Sequence, residues 1–309
     1  MTTLEFGLDT FGDVTRGADG APVSHAQAIR NVIDEAVLAD ELGVDFIGLG
    51  EHHRADFAIS APEVVLAAIA ARTKRIRLGS AVTVLSSDDP IRVFQRFSTL
   101  DAASNGRAEV ILGRGSFTES FPLFGFDLRQ YEALFEEKLD LFTALLKQEP
   151  VNWKGNLRPP LKNQLVYPPV EHPPLKTWIG VGGSPESVVR AAHYDLPLML
   201  AIIGGDPKRF APYVELYHRA YREFGRTVKP IGVHSPGPSP TATNRRAKSC
   251  GRITRSCATA SARSAVGRRW DARSSFARPT TARSMLARPK PWRARSRQRS
   301  RRLASPASI

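Results

Sequence analysis

Seven short apolar runs, separated by stretches with the period of amphipathic helices, limit what this chain can fold into. The runs cover residues 4–11, 45–50, 76–85, 108–113, 177–181, 198–203 and 230–234. The spacing predicts helices over 24–42, 61–73, 90–100, 131–146, 185–194 and 207–224 between them. Ser24 stands where a helix N-cap belongs, and Gly43 where that helix stops. Pro62 falls in the first turn of the second helix, where a missing N–H costs nothing. Residues 153–174, rich in Pro and Lys, read as a long loop. Strands that are apolar along their whole length are buried on both faces, which requires a parallel sheet covered by helices. A doubly wound open sheet and a barrel both meet that requirement. The strand count favours an α/β fold of the (β/α)8, or TIM-barrel, kind, incomplete at strands 1–7. Its eighth strand would fall beyond residue 237.

Charge marks the end of that pattern. Residues 238–309 carry 19 Lys and Arg against a single acid, Asp271, whereas the first 237 residues hold 25 bases and 29 acids. The formal charge of +14 therefore describes the tail and not the barrel. Both cysteines, Cys250 and Cys257, also lie in the tail, so the barrel has no disulfide framework. No apolar run approaches the roughly 18 residues that span a bilayer, and the N-terminus carries no basic leader. The expectation is a cytoplasmic protein without membrane association, with a barrel domain at 1–237 and a basic Arg/Ser/Ala-rich tail at 238–309.

Four motifs sit where strands end, the mouth at which barrels place their chemistry. Glu51-His52-His53-Arg54 follows the second strand. An imidazole there exchanges protons near neutral pH, and an adjacent carboxylate orients it; the same residues also suit a hydrogen-bonded surface pair. No further His, Cys or Asp stands at ligand spacing, so no metal site is expected. Gly79-Ser80-Ala81 in the third strand lets a flat ligand approach, or simply packs a crowded interior. In Gly113-Arg114-Gly115-Ser116, backbone N–H groups converge on an anion that Arg114 can pair, or an ordinary glycine turn exposes an arginine. The string I-G-V-G-G-S-P-E-S at 179–187 runs a strand through Gly182 and Gly183 into a helix capped by Ser184, an arrangement suited to phosphate or to plain capping. Pro185 stands where a dinucleotide fingerprint needs Gly or Ala, so this is not a Rossmann turn.

These motifs, joined by Leu8-Asp9-Thr10-Phe11, S-A-V-T-V-L at 80–85 and L-D-A-A-S-N-G-R-A-E-V-I-L-G-R-G-S-F at 100–117, resemble the luciferase-like flavin-dependent monooxygenases. The resemblance spans residues 4–237. It implies a barrel that binds FMN, or alternatively the deazaflavin F420. With FMN it implies oxygenation of a small organic substrate by reduced flavin and O2, a separate flavin reductase as partner, and a homodimer. With F420 it implies hydride transfer. Carried over, His52 with Glu51 becomes catalytic, placed beside the reactive edge of the flavin. Ser80 and Ala81 become the floor against the isoalloxazine, which that family often forms through a non-prolyl cis peptide. Arg114, Gly115, Ser116, Gly182, Gly183 and Ser184 become cofactor-binding residues, the last three at the phosphate.

The tail departs from this family. Its Arg, Ser and Ala hold no long periodicity and its apolar residues are too sparse for a core, as in a high-GC gene read out of frame. When permissive codons for 241–249 are reread from each third base, they allow D-S-D-E-Q-A-R-E-E, followed by L-W-P-H-Y-A-K. The same frame under 282–308 allows G-S-L-Y-V-G-S-P-E-T-V-A-R-K-I-A-A-T-V-K-A-L-G-V-S-R-F, the strand, glycine turn and helix of a closing barrel unit. The reading is a frameshift, a single-base deletion near the codon for Pro238, that leaves the first and seventh strands with exposed edges and the activity impaired. The competing class is an inactive barrel relic whose basic tail adsorbs nucleic acid without sequence preference. The tail offers few stacking aromatics (Trp270, Phe276 and Trp292), and a specific nucleic-acid partner is not expected.

Overall fold

The computed structural model of the chain describes residues 4–17, 19–203 and 206–235. All of them belong to the first of two units, Met1–Pro238; the basic tail lies outside the described residues. In chain order the elements are β1 (Gly7–Thr10), α1 (His25–Glu41), β2 (Phe46–Leu49), α2 (Pro62–Ala70), β3 (Arg77–Ser80), β4 (Thr83–Val84) and α3 (Pro90–Ser104). There follow β5 (Ala108–Gly113), α4 (Ser120–Leu123), α5 (Tyr131–Leu145), β6 (Val151–Trp153) and β7 (Leu161–Gln164). The last are β8 (Lys176–Val181), α6 (Pro185–His193), β9 (Leu198–Ala201), α7 (Ala211–Glu223) and β10 (Ile231–His234).

Local chemistry sets the helix ends. Ser24 accepts from the Gln27 N–H at 3.2 Å and opens α1. Asp89 accepts from the Ile91 and Arg92 N–H groups at 2.9 and 3.2 Å and opens α3, with Pro90 next in line. Asn105 closes α3 in the left-handed region, at φ 55°.

Seven positions of an all-parallel sheet run in the order β1-β2-β3-β5-β8-β9-β10, with β4 continuing the line of β3 beside β5. The sheet curls into a nearly closed barrel. Alternation divides each strand between two environments. Ile47, Leu49, Leu78, Val110, Leu112, Ile179, Val181, Leu198 and Leu200 face outward into one apolar core with the helices. Gly48, Gly79, Glu109, Gly113, Trp178 and Gly180 face inward. Glycine inside is a matter of room: a Cβ on Gly79 would lie 2.6 Å from the Phe46 ring.

The N-terminal end of the barrel is closed by charge. Glu109, 4% exposed, pairs with Arg77 at 2.5 Å and Lys176 at 2.9 Å and accepts from Trp178 Nε1 at 2.8 Å, and Arg77 also holds Glu5. Between the helices, Arg107 donates to the carbonyls of Ala70, Thr73, Ile76 and Ser104. It ties the ends of α2 and α3 to the start of β3.

The structure corrects three boundaries. The predicted strand 76–85 is broken into β3 and β4. Between the pairs Gly79↔Glu109 and Thr83↔Leu112 the chain advances four residues on one side and three on the other, which is a β-bulge. The Ser80 hydroxyl fills the interrupted ladder, accepting from the Ile111 N–H and donating to the Ile111 carbonyl, both at 3.2 Å. Residues 153–174 are not one long loop, because β6 and β7 form an antiparallel hairpin. Its strands are short, half polar and paired only with each other, so neither period shows in the sequence. The stretch 207–224 opens with a 3-10 turn, Pro207–Phe210, before α7 begins.

Candidate active site

The cluster predicted after the second strand lies at the barrel mouth, but its pairing differs from expectation. The Glu51 carboxylate does not orient His52. One oxygen meets His53 Nε2 at 2.9 Å, and the other accepts from the Val84 N–H at 3.0 Å. Glu51 thus clamps the end of β2 to β4, across the bulge. His52 sits instead in an aromatic enclosure, with ring centroids of Phe11, Phe57 and Phe117 at 4.7, 4.5 and 4.6 Å. Burial, reinforced by the nearby Arg54 charge, pushes its pKa down from 6.5 to about 4. Near neutral pH the ring is therefore uncharged, able to accept or donate one hydrogen bond at each nitrogen but poor at holding an extra proton.

At the bulge, the peptide between Ala81 and Val82 is cis, one residue beyond the Ser80–Ala81 pair singled out in the sequence. Ser80 itself is fully buried and spends its hydroxyl on Ile111, so it supports the bulge from behind. Ala81 faces the interior. An ideal Cβ on Gly48 would fall 2.9 Å from the Ala81 Cβ, and one on Gly50 3.1 Å from the Ala81 carbonyl. A Cβ on Gly113 would lie 2.5 Å from the Val82 side chain. A Cβ on Gly48 would also collide with the Asp9 carboxylate and one on Gly50 with the Phe11 ring, so these glycines make room for the Asp9 and Phe11 side chains as well as for the 81–82 segment.

The two glycine turns after β5 and β8 are linked. Arg114 pairs with Glu132 and lies over the Tyr131 ring, 5.5 Å from its centroid, while the Tyr131 hydroxyl donates to the Gly115 carbonyl at 2.5 Å. Gly115 has φ 74°, a conformation that favours glycine; Ser116 is exposed. Arg190 of α6 pairs with Glu136 at 2.6 Å and reaches Glu132 at 3.8 Å. Beside it, Ser184 caps α6 by accepting from the Ser187 N–H, and its hydroxyl donates to Glu186 at 2.8 Å. Gly183 has φ 138° and its carbonyl accepts from Tyr213, while a Cβ on Gly182 would meet open space. The structure therefore groups His52 and Ala81 on one side of the mouth, and Arg114, Gly115 and the 182–184 turn on the other.

Sequence reasoning missed the enclosing aromatics, and with them Arg190 and Glu132. Phe11, Phe57 and Phe117 follow three different strands. No spacing rule brings them together, although Phe11 and Phe117 stood at the ends of motifs already marked. Arg190 and Glu132 read as ordinary helix-surface charges. Among the described residues, no group of three or more His, Cys, Asp or Glu is placed to hold a metal ion.

A parallel barrel with its polar and glycine turns gathered at the C-terminal mouth defines an enzyme-type (β/α) scaffold. The family model of luciferase-like monooxygenases matches residues 10–298, and the chain belongs to that family. The match continues into the basic tail. Limonene 1,2-monooxygenase of Rhodococcus erythropolis is 36% identical over 152 residues, 47% of this chain and 39% of that one. The alkanal monooxygenase alpha chain of Photorhabdus luminescens is 26% identical over 224 residues, covering 67% and 57%. The chain spans about half the length of the curated relatives it matches. Among solved structures, the monooxygenase RslO1 from Streptomyces bottropensis superposes with TM-score 0.73 at 24% identity, over 84% of this chain and 79% of that one. The oxygenating constituent of 3,6-diketocamphane monooxygenase from Pseudomonas putida, in complex with FMN, gives TM-score 0.64 at 20% identity over 75% and 67%. An F420-dependent secondary alcohol dehydrogenase gives 0.63 at 18% over 76% and 68%.

Proposed function

We propose that the mouth binds reduced FMN and that the chain is the oxygenating component of a two-component monooxygenase acting on a small organic substrate, with reduced flavin delivered by a separate reductase. The observation that carries this reading is the barrel mouth itself, where the uncharged His52 stands among the Phe11, Phe57 and Phe117 rings. A flat heteroaromatic ring fits against such a set of rings. At its far end, the open Gly182 backbone at the N-terminus of α6 suits a phosphate, with the Arg114 and Arg190 charges nearby. Bound reduced flavin supplies the electrons that activate O2. The chain's residues do the rest. Phe11, Phe57 and Phe117 exclude water from the reacting edge. His52, held neutral, holds or passes a single hydrogen-bonded proton there. Glu51 fixes the peptide at the floor through Val84, and acts as a positioning residue.

Titrating the purified chain with FMN and, separately, with F420 tests the assignment. Saturable quenching of flavin fluorescence by FMN is expected. Binding of F420 alone would replace oxygenation by hydride transfer, and binding of neither would remove the flavin reading. With a substrate in hand, His52→Gln is expected to slow oxygenation by about a hundredfold while leaving FMN affinity unchanged.

A further inference from the structure

Among the described residues, β1 and β10 stand at the two ends of the barrel's strand order, each with one edge lacking a strand partner. Two observations bracket the distance between them. They share no backbone ladder, so they lie farther apart than the ~4.8 Å of paired strands. Yet Asp9 Oδ2 and His234 Nδ1 meet at 3.0 Å across the interior. An aspartate and a histidine reaching toward each other span at most about 10 Å between their Cα atoms, twice the strand spacing. The seam is therefore no wider than one strand.

Its outer surface is also bare. Leu8 on β1 and Val233 on β10 point outward and are 51% and 55% exposed, whereas Leu78, Val110, Leu112 and Ile179, at equivalent outward positions of the central strands, are fully covered. A parallel strand needs both faces buried. The seam therefore lacks a strand and the helix that would cover it, which together make one βα unit.

We propose that this seam is the docking site of an eighth parallel strand and its helix, and that the gene carries this unit in the frame hidden beneath residues 282–308. The family match extends through residue 298, so residues 282–298 lie inside the stretch the family fills. From His234 to residue 282 there is ample chain for the crossover of a dozen or more residues that a parallel connection needs. The hidden text fits the seam's chemistry. L-Y-V-G gives a short apolar strand, and S-P-E-T supplies a cap, a proline at the first helical position and an acid in the first turn. V, I, A, V and L then recur at helical spacing before a terminating G. The V-G-S-P-E-T-V-A-R that this frame allows parallels, one glycine shorter, the V-G-G-S-P-E-S-V-V-R with which β8 turns into α6 at 181–190.

The test compares hydrogen exchange in the full chain with that in a chain from a gene with one base restored at codon 238. The full chain is expected to exchange its Gly7–Thr10 and Ile231–His234 amides at least about tenfold faster than those of Arg77–Ser80 and Ala108–Gly113. Restoring the base is expected to bring all four strands to similar protection. Edges already protected in the full chain would overturn the proposal. Its size in solution would then tell whether a second copy or the encoded tail covers the seam. A restored chain that is insoluble, or that leaves the edges exchanging fast, would overturn it as well. Neither measurement depends on flavin.

Discussion

The two ends of the barrel handle polar groups in opposite ways. At the N-terminal end the buried charge is answered: Glu109 is shared by Arg77, Lys176 and the Trp178 N–H, and Arg77 also holds Glu5. At the mouth, His52 is buried among aromatic rings with its charged form suppressed. The first arrangement locks strands together. The second keeps charge off one buried imidazole, while the pairs Glu51–His53 and Arg114–Glu132 hold the rim around it. Stability and function are thus separated along a single axis, and substitutions at the two ends should sort accordingly.

The largest effect is expected at the closed end. Glu109→Ala leaves two cations and an indole N–H without their acceptor and should cost about 3–5 kcal/mol in chemical denaturation. Glu109→Gln, which keeps an acceptor for Trp178, should cost less. A loss at Glu109 no greater than that of an exposed acid would erase the contrast. Next comes the pH response of the mouth. His52 is protonated at about 4 when folded and near 6.5 when unfolded, so the unfolded chain binds the extra proton between those values. Stability should therefore fall as the pH drops from 6.5 to 4, by up to about 3 kcal/mol, and His52→Phe should remove that part of the slope in urea titrations. Ser80→Ala sharpens the comparison, because it attacks the mouth through its scaffold. Loss of both bonds to Ile111 should cost about 1–3 kcal/mol and weaken FMN binding in the same preparation. The smallest change is expected at the exposed Arg72–Asp34 pair, where Arg72→Ala should shift the denaturation midpoint by no more than about 0.5 kcal/mol.

How far the sequence foretold this follows from the range of the interactions involved. Parallel strands buried on both faces write themselves as apolar runs, so β2, β5, β8 and β10 emerged within a residue or two of their observed ends. Caps are equally local, and Ser24 and Ser184 sit where their helices begin. The bulge at Ser80 was not legible, since it exists only as a mismatch in count between two strands paired across the sheet. The same holds for Glu51: adjacency suggested His52 as its partner, whereas the alternation of a strand end turns neighbouring side chains apart and puts Glu51 beside His53 and Val84. The enclosure of His52 draws on segments that follow three strands, and only the closed geometry of a barrel brings them to one point.

Along the main sheet, each strand is laid beside the one that most recently preceded it, the β6–β7 hairpin standing apart. A ribosome therefore releases the chain in the order in which the sheet is assembled, and every new strand finds its partner already waiting. The guanidinium of Arg107, bound to four carbonyls between Ala70 and Ser104, fastens an early block before the last strands are synthesised. Rim closure comes last. A disturbance late in the message consequently leaves the early units able to form, and the damage collects between β1 and β10, the first and last of the described strands.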